Sequence, residues 1–488
     1  MTTTLTQGVG RSPGEPVRPL RALAASPALI VLLLGGLALR LTIAYVLFPS
    51  SGFESDIASY ASWALTMGEH GPGGFYENAG FADYPPAYLY LLWPIGLVAG
   101  GGLDAALSAS ELVKLPAILL DIAVGYVIYR LVLGWVRPSD RAEALALAAA
   151  ALFLFNPVAF YDSALWGQTD AAGALVVLLG TAALIRGNSE GAAALAATAA
   201  LVKPQFGVVL IPVVAFVLIK RHLLRPGSGP RQRPWAPPSL AGWLSRQQGW
   251  PRLLTSFAAA WLVYFVIAIP FGLGDPRDYL TLMFGTAGGY GYLTVNAYNL
   301  WALVGSGGTP PLAEVFGWSD DTVGLVGPIP GVVIGASLLL AGFLWGSLRA
   351  AVRDDRWTLI VAVTFLAIAF FILPTRVHER YIYPAIALMP LLAVVQRRWG
   401  MALVLLSAGA LINLHGVLTL PLYGSDNVSS LPYGQLFREG PMIALSALLQ
   451  TGVGVWVAWQ LRPSARTSPD PFILEAARGS PAKIARQS

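Results

Sequence analysis

Residues 28–48, ALIVLLLGGLALRLTIAYVLF, hold a single charge, Arg40, in 21 positions. At 1.5 Å per residue the run is long enough as a helix to cross about 30 Å of hydrocarbon. It is too long for the apolar core of a signal peptide and shows no small-residue cleavage site, which makes it a retained first span. Similar runs recur along the whole chain. With 56% hydrophobic and 12% charged residues in 488, and a mean hydropathy of +0.63, the composition excludes a soluble multidomain protein. The alternating pattern of a membrane barrel is absent, so the expected fold class is an all-α polytopic membrane protein. There is no cysteine, so disulfides and thiolate metal sites play no part.

The formal charge of +5 is placed between the spans, which argues against a nucleic-acid partner and for topology. Arg11, Arg18 and Arg21 precede the first run, and Arg130, Arg137 and Arg141 flank the next break. Lys220, Arg221, Arg225, Arg231, Arg233, Arg246 and Arg252 sit in or beside a Pro/Gly-rich linker at 221–252 that has no acid. The positive-inside rule puts these on the cytoplasmic side. About twelve spans are then expected, near 28–48, 112–134, 142–161, 170–186, 188–203, 204–220, 253–273, 327–348, 357–373, 381–396, 400–420 and 441–461. Both termini lie inside, with tails 1–27 and 462–488 expected to be disordered around a transmembrane domain at 28–461. The run 84–100 is short and carries Pro85, Pro86 and Pro94, which suits a shallow or re-entrant helix. Outer loops follow at 49–111 and 274–326.

The first outer loop has no Lys or Arg but carries Glu54, Asp56, Glu69, Glu77, Asp83, Asp104 and Glu111. Ile57, Tyr60, Ala61, Ala64 and Leu65 recur at helical spacing, the mark of an amphipathic helix lying on the membrane, with Asp56 in its first turn. Such an acid also suits a helix N-terminus on electrostatic grounds, and Ser55 is placed to cap. Against this acidic face, the segment PTRVHER at 374–380 stands out. Arg376, His378 and Arg380, with Lys203, are cations kept at the outer edge against the topological bias, as an anionic partner such as a lipid phosphate requires. Snorkelling from a helix end accounts equally for any one of them. Arg40, inside the first span, demands a partner that the sequence does not name.

Six motifs occur in order: Asp56 after the first span, DYPP at 83–86, LWGQTD at 165–170, LVKPQ at 201–205, VNAYNLW at 295–301 and RVHERY at 376–381. Together they resemble the GT-C glycosyltransferases, chiefly bacterial proteins similar to the second GPI-anchor mannosyltransferase and, more distantly, the glucosyltransferases that complete the N-glycan precursor. The resemblance covers most of residues 28–400 and implies a GT-C-like fold in a bacterial plasma membrane. It also implies an inverting enzyme that takes a sugar from a polyprenyl-phosphate carrier at the outer face and passes it to a lipid or glycan acceptor. Asp56 takes the place of the family's catalytic base, and Arg376, His378, Arg380 and Lys203 that of groups holding the carrier phosphate. Asp83, Tyr84, Trp166, Gln168, Asp170, Asn296, Asn299 and Glu379 are candidates for binding substrate. Trp166 also suits an interfacial belt, Asp170 a helix cap, and the two asparagines their own turn. No cofactor is implied and no Asp-x-Asp pair occurs, although Glu54 and Asp56 leave room for a divalent cation. Besides donor and acceptor the expected partners are membrane lipids. The competing reading is a secondary transporter or flippase of a lipid-linked sugar, which would share the broken helices and intramembrane charge. The sugar, the acceptor and the oligomeric state are not legible.

Overall fold

The computed structural model describes residues 26–100, 103–136, 141–230, 249–304, 319–463 and 472. The two tails and residues 231–248 of the basic linker lie outside the described residues, so the expected disorder of the tails is not addressed. Nearly every regular element is a helix. In chain order these are α1 (Pro27–Leu41), α2 (Glu54–Asn78), α3 (Pro86–Ala99), α4 (Leu103–Leu112), α5 (Lys114–Trp135), α6 (Ala142–Leu154), α7 (Pro157–Phe160), α8 (Asp170–Ile185), α9 (Ser189–Val202), α10 (Pro204–Ile219), α11 (Trp250–Ala268), α12 (Pro276–Gly288), α13 (Gly331–Arg353), α14 (Arg356–Ile372), α15 (Tyr383–Ala393), α16 (Arg397–Leu418), α17 (Asp426–Ser429), α18 (Gly434–Phe437) and α19 (Gly440–Gln460). A two-stranded ribbon, β1 (Gly324–Val326) with β2 (Ile329–Pro330), precedes α13.

Among the described residues, seven helices are long and apolar enough to cross a membrane, or eight if the bent pair α6 and Pro157–Trp166 is one span. The chain is a multi-pass membrane protein. The other four expected spans are present as shorter apolar helices, α8, α9, α14 and α15, of 11 to 17 residues. For three of them, α9, α14 and α15, the shortness has a local cause. α9 stops where Lys203 turns extended ahead of Pro204, and the chain between α14 and α15 unwinds over residues 373–382. Both breaks border the same cavity. The run 84–100 forms α3, whose 14 residues rise only about 21 Å.

α1 starts as its sequence dictates, with Pro27 in the first turn and the Ser26 side chain accepting from Leu29 N at 3.2 Å. Arg40 finds its partner in Asp121 of α5, Nε to Oδ2 at 2.7 Å, both fully buried. Its Nη1 also donates to the carbonyls of Leu154 at 2.9 Å and Gly36 at 3.2 Å. Asp121 accepts further bonds from Ser163 and Tyr383, so one carboxylate ties four helical segments inside the bundle. The basic residues at the linker's ends are not simply solvated. Arg221 and Lys220 pair with Asp354 at 2.5 and 3.0 Å, and Arg252 pairs with Glu190 at 2.7 Å.

α2 is the expected amphipathic helix, burying Tyr60, Ala61 and Ala64 with Trp63 and Met67, and leaving Ile57 and Leu65 half-buried. It bends at Gly71, whose φ of 61° precedes Pro72. α3 packs tightly on it: a Cβ on Gly96 would stand 1.8 Å from the Ala64 carbonyl oxygen. That approach only glycine allows, and it fixes the helix that carries Asp56.

Candidate active site

The first turn of α2 is clamped from three sides. Phe53, its N-terminal flanking residue, stacks between Trp166 and Tyr423 with ring centroids 4.8 and 5.0 Å away. Phe53 N donates to Trp166 O at 3.1 Å and Glu54 N to Tyr423 O at 2.9 Å. The buried Lys114 ammonium donates to the carbonyls of Ser51, Ala164 and Leu165, joining the loop before α2 to the turn of π-helix at Tyr161–Trp166. Ser55 does not cap; it lies inside the first turn, and no side chain caps this helix.

That clamp sets Asp56. Its Oδ2 accepts from Trp166 Nε1 at 2.9 Å and Gln168 Nε2 at 2.5 Å, and lies 3.9 Å from Arg380 Nη2. Its Oδ1 has no protein partner among the described residues, and the side chain remains one-fifth exposed. Asp56 lines a cavity of about 430 Å3 together with Asp83, Tyr84, Lys203, Asn296, Arg376, His378, Glu379 and Arg380. Nine of the thirteen candidate site residues therefore meet at one wall-lined space, although they come from five separate stretches of chain.

The other four do not reach it. Trp166, Gln168 and Asp170 are fully buried in the layer beneath, where they hold the lining groups. Gln168 Oε1 accepts from Tyr60 at 2.9 Å and Lys203 Nζ at 3.2 Å, while its amide nitrogen holds Asp56. Asp170 pairs with Lys203 at 3.1 Å, and the Lys203 ammonium sits 4.8 Å over the Tyr84 ring. Asn299 is spent on backbone, accepting from Trp301 N at 3.0 Å and donating to Phe371 O at 2.9 Å. These four stand behind the cavity wall: the hydrogen bonds of Trp166, Gln168 and Asn299 run to protein, while Asp170 pairs with Lys203 and leaves its Oδ2 without a partner among the described residues.

The cations differ among themselves. Arg380 is buried against Glu379 at 2.5 Å and stacked 5.8 Å from the Trp166 ring, with its Nε unpartnered among the described residues. Arg376 sits at the rim with φ 63°, its guanidinium engaged by Asp321 through Nε and Nη2 at 2.8 and 2.9 Å. It lines the cavity as half of an ion pair rather than as a bare cation. Burial first, then the nearby Arg380 and Lys203 charges, push the His378 pKa well below the ordinary value, which favours the neutral imidazole. Burial raises the carboxyl pKa of Glu379 against the opposing pull of Arg380. Burial likewise raises that of Asp83, with Lys203 opposing and Asp56 adding to the rise.

Aromatic residues complete the walls: Phe53, Tyr60, Trp63, Tyr290 and Tyr423. Tyr423 hydrogen-bonds the Asn296 side chain, and the Tyr60 and Tyr84 hydroxyls meet at 2.7 Å. Sequence reasoning missed Tyr423, Tyr290, Lys114 and Asp321, none of which sits in a motif. It also missed Asp162, fully buried on the π-helical turn, with no hydrogen-bond partner for either carboxyl oxygen among the described residues. The π-helical turn at Tyr161–Trp166 is visible only in the fold. Among the described residues no group of three His, Asp or Glu is placed to hold a metal ion, so Glu54 and Asp56 are not part of such a set.

No protein-family model and no curated protein matches the chain. Among solved structures it is similar to the apo crystal structure of an oligosaccharyltransferase from Archaeoglobus fulgidus, at 13% identity and a TM-score of 0.40, over 87% of this chain and 56% of that one.

Proposed function

We propose that the chain is an inverting glycosyltransferase that moves a hexose, with mannose favoured, from a polyprenyl-phosphate carrier to a lipid-linked or glycolipid acceptor. The outer face of a bacterial plasma membrane is the assigned location. One observation carries this reading: a carboxylate with one oxygen pinned and the other open faces the same cavity as Lys203 and Arg380. An acceptor hydroxyl needs a base within about 3 Å as it attacks the anomeric carbon, and Asp56 Oδ1 is available for that proton. As the glycosidic bond to the carrier breaks, negative charge grows on the leaving phosphate. Arg380 and Lys203, fixed by Glu379 and Asp170, meet that charge without having to move. Direct attack from the opposite face inverts the anomeric centre. The GT-C resemblance of the six motifs supports the same assignment.

A transporter or flippase shares one observation, the helix broken at Lys203–Pro204. In such a carrier an open carboxylate would relay protons, so sugar transfer itself is what separates the two readings. The deciding experiment offers the purified protein in bilayers a panel of polyprenyl-phosphate sugars and acceptor lipids. Transfer of one sugar with inversion is the expected result; movement of the intact donor across the bilayer without transfer would support the rival instead.

The lowered pKa of His378 makes a separate forecast. A protonated histidine on the carrier phosphate would lose affinity as pH rises through about 6.5. Because burial favours the uncharged His378, the ratio of donor affinities between wild type and His378→Gln should stay constant from about pH 6 to about pH 8. A ratio that falls with rising pH, seen by donor-binding titration, would show the imidazolium to be the true contact.

A further inference from the structure

α16 and α19 run antiparallel and approach closely at Gly409. There Ser446 Oγ donates to Gly409 O at 2.8 Å, and a Cβ on Gly409 would meet Gln450 Cγ at 2.9 Å. About three turns away two indoles, Trp399 and Trp456, meet between the helices in edge contact at 4.8 Å. Between these points lies an open groove of about 390 Å3, lined by Met401 and Leu405 from one helix and by Leu448, Gly452 and Trp456 from the other, with Arg398 at its end. Met401, Leu405 and Leu448 are exposed, and nothing stands within 4 Å of a Cβ built on Gly452.

The occupant follows from chemistry and place. The groove runs along two helices of membrane-spanning length, so an acyl chain is the apolar body that meets it. From Arg398 to Leu405 it covers about 10 Å of helix, enough for the upper part of one chain. No acidic residue lines it, while Arg397 and Arg398 are exposed at its mouth. Arg462, stacked 4.4 Å over Trp459, lies beyond the end of α19 on the same side. Clustered arginines at the end of a membrane helix attract anionic headgroups. We propose that this groove binds one anionic diacyl phospholipid, with its phosphate on Arg397 and Arg398 and one acyl chain between Met401, Leu405, Leu448 and Trp456.

The test uses the full-length protein, delipidated in detergent, and native mass spectrometry with phosphatidylglycerol or phosphatidylcholine of identical chains. Wild type should retain one phosphatidylglycerol roughly tenfold more strongly than phosphatidylcholine, as two arginines at an anionic headgroup imply. Arg397→Ala/Arg398→Ala should abolish the preference. Gly452→Leu, which fills the groove without a backbone clash, should weaken both lipids, and both variants should melt close to wild type. Equal retention of the two lipids by wild type, or an unchanged preference in the double variant, would overturn the proposal. So would a dimer that Gly452→Leu dissolves while lipid retention stays unchanged, since a second copy would then be the occupant.

Discussion

Asp56→Asn should reduce single-turnover sugar transfer by roughly 10²-fold or more while donor binding stays within a small factor of wild type. The substitution keeps the shape of the side chain. Its one remaining carbonyl oxygen can still accept from Trp166 Nε1 and Gln168 Nε2, so the clamp on the first turn of α2 survives. What is lost is the ability of the open oxygen to take a proton. Asp56 caps nothing in the structure, so a purely helix-stabilising role leaves only its N-terminal charge, worth about 0.3–1 kcal/mol. The two accounts therefore differ by orders of magnitude in turnover. Glu54→Gln is the control: Glu54 is exposed and does not line the cavity, so transfer should be unchanged. Wild-type turnover in Asp56→Asn would remove the base assignment and pass the question to Asp83, the next carboxyl on the cavity wall.

Arg380→Ala should have the largest effect on stability and abolish tight donor binding as well. Glu379 is 1% exposed and Arg380 is its close partner, so truncating the arginine strands a carboxyl in the interior at a cost of about 3–5 kcal/mol. Asp56 loses its nearby guanidinium at the same time. The double variant Arg380→Ala/Glu379→Gln separates the two consequences. Removing the stranded charge should recover part of the melting temperature, while donor affinity stays low because Lys203 alone then faces the phosphate. Arg380→Lys should restore binding only in part, since a point charge cannot reproduce the planar fork that meets Glu379 and stacks near Trp166. If the double variant bound donor as wild type does, Arg380 would be a purely structural partner of Glu379.

Much of this could be read before any coordinates. Long apolar runs separated by arginines specify spans, because the cost of burying charge in hydrocarbon is local and strong. The same reasoning picks out PTRVHER and the lysine ahead of Pro204 as breaks in otherwise apolar helices, and the stripe on α2 as an amphipathic surface helix. All three lie at the cavity. Whether a residue faces that cavity or supports it was not legible. Trp166, Gln168 and Asp170 belong to one of the motifs, yet they sit underneath, since which face of a turn is covered depends on the helices packed against it.

Sequence alone thus determined the class of the protein, its alternation of spans and basic loops, and the small set of ionisable residues that the membrane would otherwise exclude. Those are properties of a segment and its solvent, and need no knowledge of neighbours. The tertiary structure decided pairing and charge state. Arg40 meets Asp121 across 81 residues and Arg376 meets Asp321 across 55, and no periodicity encodes either encounter. His378 looks like a cation in the sequence, yet the fold lowers its pKa, because desolvation and two neighbouring positive charges act only once the chain has closed around it.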